Sequence, residues 1–345
     1  MWGSRHGHHG NPAGRRRPGR PGSLPAVPAD ALPAPVELGT WPTPVEPAPR
    51  LAAAMGLAAD ALWIKRDDLT GLGGGGNKLR KLRYTGAQAL AAGATTLITT
   101  GAPQSNHARL TAAVAARLGL RSVLVLAGDK PAALQGNLVL ERLAGAELAW
   151  VADPAPDSVR RELERQAQRV RDDGGVPHVI PFGGSSSFAA LGYVDCGIEL
   201  LGQVPGLDHV VVAFGSGGTM AGLVACLGAE RVIGIDTGAV PDPRATLDEL
   251  LDGMPGTHVP RAGLQVEGGQ VGGGYATLAP GAAAAMRLAA RTEGLFLDPT
   301  YTARALAGLG ALAAEGRIKP GDRTVFLHSG GLPGLFGHPG LAHLT

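Results

Sequence analysis

The sequence predicts a layered α/β protein built on parallel sheets. Three observations lead there. After residue 29, short β-branched or apolar runs alternate with Ala-rich segments of roughly ten to fifteen residues, the pattern of βαβ units. Aromatic residues are only 4% while Gly alone supplies 54 of 345 residues, a composition suited to close helix-on-sheet packing and unsuited to a large β-sandwich. Hydrophobic residues make up 44%, enough for a sizeable core in one large domain or two ordinary ones.

Taken in chain order, residues 1–30 are basic and Pro-rich. Arg5, Arg15, Arg16, Arg17 and Arg20 stand there with no acid among the first twenty residues, and the segment reads as a disordered tail. No apolar run follows these arginines, so export is not expected and a cytoplasmic protein is. Strands are expected at Leu62–Lys65, Thr96–Thr100, Ser122–Leu126, Glu147–Val151, His178–Pro181, His209–Phe214, Arg231–Asp236 and Thr324–His328. Helices are expected between them near Leu79–Ala92, Asn106–Leu118, Leu134–Leu143, Ser158–Asp172, Ala189–Leu201, Thr219–Leu227, Ala282–Glu293 and Thr302–Glu315. In the second helix Leu110, Val114 and Leu118 recur every four residues and give one apolar face. Val210 to Gly228 carries no charge and is long enough to span a bilayer, but GSGGT interrupts it. A buried strand, a turn and a helix account for it without a membrane. Eight strands fit one sheet, a barrel or two open sheets, and in each case the loops after the strands are where chemistry belongs.

Several function classes fall away. A net charge of +2 gives no footprint for nucleic acid. Two cysteines, Cys196 and Cys226, exclude a disulfide framework and a Cys-rich zinc site. No H-E-x-x-H motif appears among the ten histidines, and no metal is expected.

The strand-end loops are rich in Gly and hydroxyls. Gly71–Lys81 reads GLGGGGNKLRK, four consecutive glycines ahead of a helix that begins at Asn77 or Lys78. A lysine in a first turn opposes the helix dipole, so Lys78 is either a surface residue on a flexible linker or has a specific task. The loop is no Walker motif, because Leu79 stands where Ser or Thr is needed. Gly101–Asn106 reads GAPQSN, where Ser105 and Asn106 are natural N-caps. Gly215–Thr219 reads GSGGT between strand and helix, an anion nest whose length suits one phosphate. DPTYT (298–302), HSGG (328–331) and Tyr275 in GGGYA add hydroxyls. A lysine for a Schiff base, a nest for one phosphate and polar groups for a ring together describe pyridoxal phosphate chemistry.

The runs WIKRDDLTGLGGGGNKLRKL, TTGAPQSNHARLTAAVAARLGL, VVVAFGSGGTMAGL, DPTYT and FLHSGGLPGLF resemble the D-cysteine desulfhydrase and 1-aminocyclopropane-1-carboxylate deaminase family, from about Pro44 to Phe336. The resemblance implies fold type II, the tryptophan synthase β-like fold, with two open, mainly parallel twisted sheets covered by helices. A larger domain (31–80 plus 185–345) would receive a smaller inserted one (81–184), with pyridoxal 5'-phosphate between them. Lys78 matches the Schiff-base lysine and Asn77 precedes it. Lys81 matches a lysine that contacts phosphate, with an exposed helix charge as the alternative. Gly217, Gly218 and Thr219 match the phosphate nest. Asn106 matches the partner of the ring hydroxyl. Ser105 matches a serine beside the substrate carboxylate that assists proton transfer, and Gln104 and His107 complete that substrate loop. Tyr301 and Tyr275 match tyrosines near the substrate.

The partner of the ring nitrogen separates the two activities. The deaminases carry Glu after the tyrosine; this chain has Thr302, as the desulfhydrases do, with Ser329 as a second hydroxyl. A neutral partner gives a shallower electron sink and suits elimination of a good leaving group. The resemblance therefore implies α,β-elimination from a small D-amino acid, foremost D-cysteine to pyruvate, ammonia and hydrogen sulfide. Cysteate elimination, ring opening of aminocyclopropane carboxylate, and a cofactor-binding protein without activity are the alternatives. A homodimer is expected. Departures fall near the pocket: GGQVGGGYATLAP lacks both prolines of the family segment, GSSSF (184–188) stands for G-S-N-P, and Gly74 replaces an apolar residue.

Overall fold

The computed structural model describes residues 34–255, 259–275 and 277–344. The basic segment 1–30 lies outside them. Among the described residues ten strands form two sheets. In chain order they are β1 (Val45–Pro47), β2 (Leu62–Lys65), β3 (Thr96–Gly101), β4 (Arg121–Ala127), β5 (Glu147–Val151), β6 (Pro177–Ile180), β7 (His209–Phe214), β8 (Val232–Asp236), β9 (Gln265–Glu267) and β10 (Thr324–Leu327). The six-stranded sheet runs β1-β2-β10-β7-β8-β9 and the four-stranded sheet β5-β4-β3-β6. Every pairing is parallel except β1 with β2.

The α-helices are α1 (Pro49–Ala54), α2 (Lys78–Ala91), α3 (Asn106–Leu118), α4 (Asn137–Leu143), α5 (Pro156–Asp172), α6 (Leu191–Gln203), α7 (Gly218–Leu227), α8 (Pro243–Asp252), α9 (Pro280–Glu293), α10 (Thr302–Ala314) and α11 (Leu332–Leu335). All eight expected strands and all eight expected helices are present. The uncharged stretch 210–228 is β7, the GSGGT loop and α7. No helix among the described residues is long and apolar enough to cross a membrane.

The six-stranded sheet separates two cores. Ile64, Val211, Ile233 and Phe326 face α1, α9 and α10. Val210, Val212, Phe214, Val325 and Leu327 face α6, α7 and α8. Strands covered on both faces read as continuous apolar runs, as β7 does. In the smaller sheet Leu97 and Ile180 pack against α2 and α3, while Ile98, Val123 and Val125 pack against α5.

Helix α2 joins the two halves through a buried charge network. Arg80, two residues past Lys78, donates to both oxygens of Asp67 at 2.8 and 2.9 Å and to Glu199 of α6. Tyr193 and Thr43 donate to the same carboxylate, and Lys65 joins Glu199 at 2.6 Å. The Arg80 guanidinium also lies over the Trp41 ring. These bonds fix the start of α2 against β2 and α6.

Candidate active site

The carboxyl ends of β2, β3, β7 and β10 deliver the loops expected to carry chemistry, and they converge. Asn77, Lys78, Lys81, Asn106, the 215–219 loop, Tyr301 and Ser329 line one inner cavity. A second small space beside it is lined by Ser105, His107 and Tyr275, with Lys78 and Tyr301 shared. Lys78 opens α2, with its ammonium end desolvated and its pKa pushed down to about 8. Lys81, one turn on, is fully buried and is no exposed helix charge. It donates to the Gly183 carbonyl at 2.6 Å and to Ser185 at 2.9 Å. Burial and the neighbouring Lys78 hold its pKa well below the usual lysine range.

The 215–219 loop sits at the N-terminus of α7. Gly217 has φ +81°, and a Cβ on Gly218 would lie 2.7 Å from the Ser185 hydroxyl. Ser185 accepts from the Gly218 N–H at 3.3 Å and shares a hydrogen bond with Ser216 at 2.7 Å. Ser185, the serine this segment shares with the family's G-S-N-P, thus sits in the nest, and the departures follow it at Ser186 and Ser187. Asn77 donates to Thr219 at 3.0 Å and ties the lysine loop to the nest.

On the opposite wall, Ser105 caps α3 by accepting from the Ala108 N–H at 3.1 Å. The Oδ1 of Asn106 accepts from Asn137, which leaves its amide N–H groups for a ligand. His107 is buried and held neutral, its pKa pushed well below the usual range by desolvation and by Lys78 and Lys81. Thr99 donates its own proton to the Ile180 carbonyl, so His107 must donate to Thr99 from Nε2 at 2.9 Å. Its Nδ1 is then an acceptor without a partner among the described residues. The Tyr275 and Tyr301 hydroxyls hydrogen-bond each other, with rings edge to face at 5.9 Å. Burial raises both phenol pKa values and keeps them protonated.

This set of donors is decided by comparison with known proteins. The model of a family described as "Pyridoxal-phosphate dependent enzyme" matches residues 36–330. The chain is 38% identical to a D-cysteine desulfhydrase of Klebsiella pneumoniae (strain 342) over 327 residues, 89% of this chain and 97% of that one. It is 36% identical to a 1-aminocyclopropane-1-carboxylate deaminase of Rhizobium leguminosarum bv. viciae, over 86% of this chain and 94% of that one. The chain belongs to the pyridoxal-phosphate-dependent enzymes. A crystal structure titled as that of an ACC deaminase homologue superposes with a TM-score of 0.83 at 36% identity, covering 92% of this chain and 97% of that one. The processed form of threonine deaminase isoform 2 from Solanum lycopersicum shares the fold, with a TM-score of 0.63 at 18% identity over 88% of this chain and 82% of that one.

The residues present fit the cofactor. Lys78 supplies a desolvated amine, the α7 N-terminus with Ser185 and Lys81 supplies an anion site, and Asn106 supplies a free amide donor. The space is tight, about 20 Å³ beside the nest and about 10 Å³ beside Ser105. Tyr301 is common to both spaces.

Two expected site residues are placed differently. Thr302 does not line the cavity. Its hydroxyl donates to the Asp298 carboxylate at 2.7 Å and accepts from the Asp298 N–H at 2.8 Å, closing the first turn of α10. Of the two hydroxyls expected at the ring nitrogen, Ser329 alone reaches the inner cavity wall. Gln104 spends its amide on the chain around Asn137: Oε1 accepts from the Asn137 N–H and Nε2 donates to the Gln135 carbonyl. It lines an outer chamber and not the inner cavity. Supporting residues escaped the sequence. Arg304 donates to the carbonyls of Thr237, Gly274 and Thr277 and positions the Tyr275 loop. Arg109 donates to the carbonyls of Gly73 and Gly75 and holds the glycine loop ahead of Lys78.

Proposed function

We propose that this lyase catalyses α,β-elimination from a small D-amino acid, foremost D-cysteine to pyruvate, ammonia and hydrogen sulfide. The observation that carries the reading is the inner wall itself. Among the described residues no carboxylate lines either inner space, and of the two hydroxyls expected at the ring nitrogen only that of Ser329 lines the inner cavity. When bound, pyridoxal phosphate supplies an electron-accepting ring conjugated to the substrate amine. A wall without a carboxylate does nothing to hold a proton on the ring nitrogen, so the sink is shallow and a readily departing β-substituent is favoured.

The chain's own groups suit that reaction. Ser105 and the N-terminus of α3 offer a hydroxyl and backbone N–H groups to the substrate carboxylate. The Lys78 amine, with a pKa of about 8, takes the Cα proton as a base near neutral pH. The Tyr301–Tyr275 pair lines the same space, and its protonated hydroxyls can hydrogen-bond the departing sulfur. We place the enzyme in the cytoplasm as a homodimer; exposed Ile198 and Leu201, one turn apart on α6, offer an apolar contact.

The test is a panel of D- and L-amino acids assayed for keto acid, sulfide and sulfite. D-cysteine is expected to release pyruvate and sulfide in equal amounts. Faster opening of aminocyclopropane carboxylate than sulfide release would overturn the reading in favour of a deaminase. Sulfite from cysteate as the dominant product would move it to a sulfo-lyase.

A further inference from the structure

A chamber of about 560 Å³ adjoins the inner cavity and shares Asn106, Tyr275 and Tyr301 with it. That volume lies in the range of drug-sized ligand pockets and far exceeds the thiol of cysteine. Its remaining wall comes from the segment after β4, the segment 299–300 before α10 and the C-terminal segment 334–339. Pro131, Ala132, Ala133, Leu138, Pro299 and Pro339 make it largely apolar. The chamber is a built structure. Gln104 is locked in its wall by the Asn137 and Gln135 bonds, and a Cβ on Gly337 would lie 2.2 Å from the Gln104 side chain. Among the described residues no lysine or arginine lines the chamber, while Asp129 and Asp298 do.

We infer that the preferred substrate carries an apolar substituent on its β-sulfur, and that this group occupies the chamber while the amino-acid end occupies the inner cavity. The substrate class is S-alkyl or S-arylmethyl cysteine. This rests on the elimination reading and narrows it. A sulfonate is disfavoured, because the chamber offers the carboxylates of Asp129 and Asp298 and neither lysine nor arginine. The reaction is balanced without an oxidant. The Cα–H bond breaks and its electron pair forms the Cα–Cβ double bond. The Cβ–S bond breaks with its pair on sulfur, which takes a proton and leaves as a thiol. Water then converts the remaining enamine to pyruvate and ammonium. One substrate and one water give one thiol, one pyruvate and one ammonium.

The experiment uses the holoenzyme with S-benzyl-D-cysteine, D-cysteine and D-cysteate, following pyruvate and thiol or sulfite. Binding is read separately by calorimetry with D-homophenylalanine and D-alanine, which have no β leaving group. The expected KM for S-benzyl-D-cysteine is at least tenfold below that for D-cysteine, and D-homophenylalanine should bind at least tenfold more tightly than D-alanine, the scale at which a hydrophobic pocket discriminates. Ala133→Trp, and independently Ala132→Trp, should abolish both preferences while leaving kcat/KM for D-cysteine within about twofold. Elimination from D-cysteine with no preference for the benzyl compounds would overturn the inference and leave the elimination reading standing. Preferences that survive both tryptophan variants would overturn it as well, since the group would then lie elsewhere. Elimination from neither cysteine compound would sink both readings together.

Discussion

Glu141 of α4 offers a pH experiment on the scaffold behind Lys78. The carboxyl is fully buried, and neither of its oxygens has a hydrogen-bond partner among the described residues. Desolvation pushes its pKa up to about 8, against the pull of Arg109. The folded chain therefore holds a proton there that the unfolded chain releases above pH 4.5. Across that window the unfolded state binds fewer protons, so stability falls as pH rises, at ~1.4 kcal/mol per pH unit. The full fall from pH 4.5 to 8 has a ceiling of about 5 kcal/mol, the upper bound for a group that stays wholly desolvated. His107 and His328 act in the opposite sense. Burial depresses both, so they cost stability as pH falls through about 6.5. They are unchanged by a substitution at residue 141 and cancel in the difference. Glu141→Gln should thus gain on the unaltered protein steadily between pH 5.5 and about 8 and level off above it, by at most about 3 kcal/mol over that span, as read from urea midpoints at fixed pH. Its activity should persist, because Arg109 keeps its bonds to Gly73 and Gly75. Parallel stability profiles for the two proteins would refute the assignment of a buried, protonated Glu141.

Lys78→Ala should abolish turnover and the visible absorption of the lysine-bound cofactor; a borohydride-reducible covalent cofactor in that variant would move the anchor to another lysine, with Lys81 first. Cofactor uptake by the apoprotein should accelerate with pH around a midpoint of about 8, the pKa to which burial brings Lys78, and a midpoint above 10 would contradict that desolvation. Asp67→Asn leaves Arg80 buried without its full partner and should cost about 3–5 kcal/mol in denaturant melts, the usual result of breaking a buried pair. Thr302→Glu sets a second carboxylate against Asp298 in a buried turn and should destabilise the protein rather than confer deaminase activity, whereas Ser329→Ala should change turnover with little loss of stability; rapid ring opening by a stable Thr302→Glu protein would show that residue 302 faces the ring after all.

Much of the fold was legible because its signals are local. Strands such as β3 and β7 are continuous β-branched runs, and α3 declares itself through Leu110, Val114 and the capping Ser105. The missed elements are mostly short, such as β1 and β9 with three residues each. Helix α8 is the exception, since Asp242 caps it and Pro243 follows at the first position, a start signal present in the sequence. The site was legible where one residue type can do one job, as with Lys78 or the 215–219 loop. It was not legible where long-range partners decide. Arg80, Arg109 and Arg304 look like exposed helix charges in sequence and are the largest fully buried side chains among the described residues. Thr302 was misplaced for a related reason. The residue that claims its hydroxyl, Asp298, sits four positions upstream and forms a local turn that motif matching does not show.

The placement of the site follows from how the two sheets meet. Each half buries its own apolar faces, so the carboxyl ends of both sheets are left to face each other with loops instead of core. Loops can close on one another only where side chains are absent. A Cβ at Gly183 would lie 2.1 Å from the Ser216 hydroxyl, and one at Gly330 would lie 2.8 Å from the Gly76 backbone. The seam is thereby thin enough for Lys78, from the start of α2, to share one cavity with Asn106 from the four-stranded half and Ser329 from the six-stranded half. The buried arginines complete the arrangement, because backbone carbonyls exposed by such glycine loops need donors, and Arg109 and Arg304 provide several from a single side chain each. The glycine content and the unexpected burial of arginine are two consequences of one requirement: holding bare loops rigidly enough to carry chemistry.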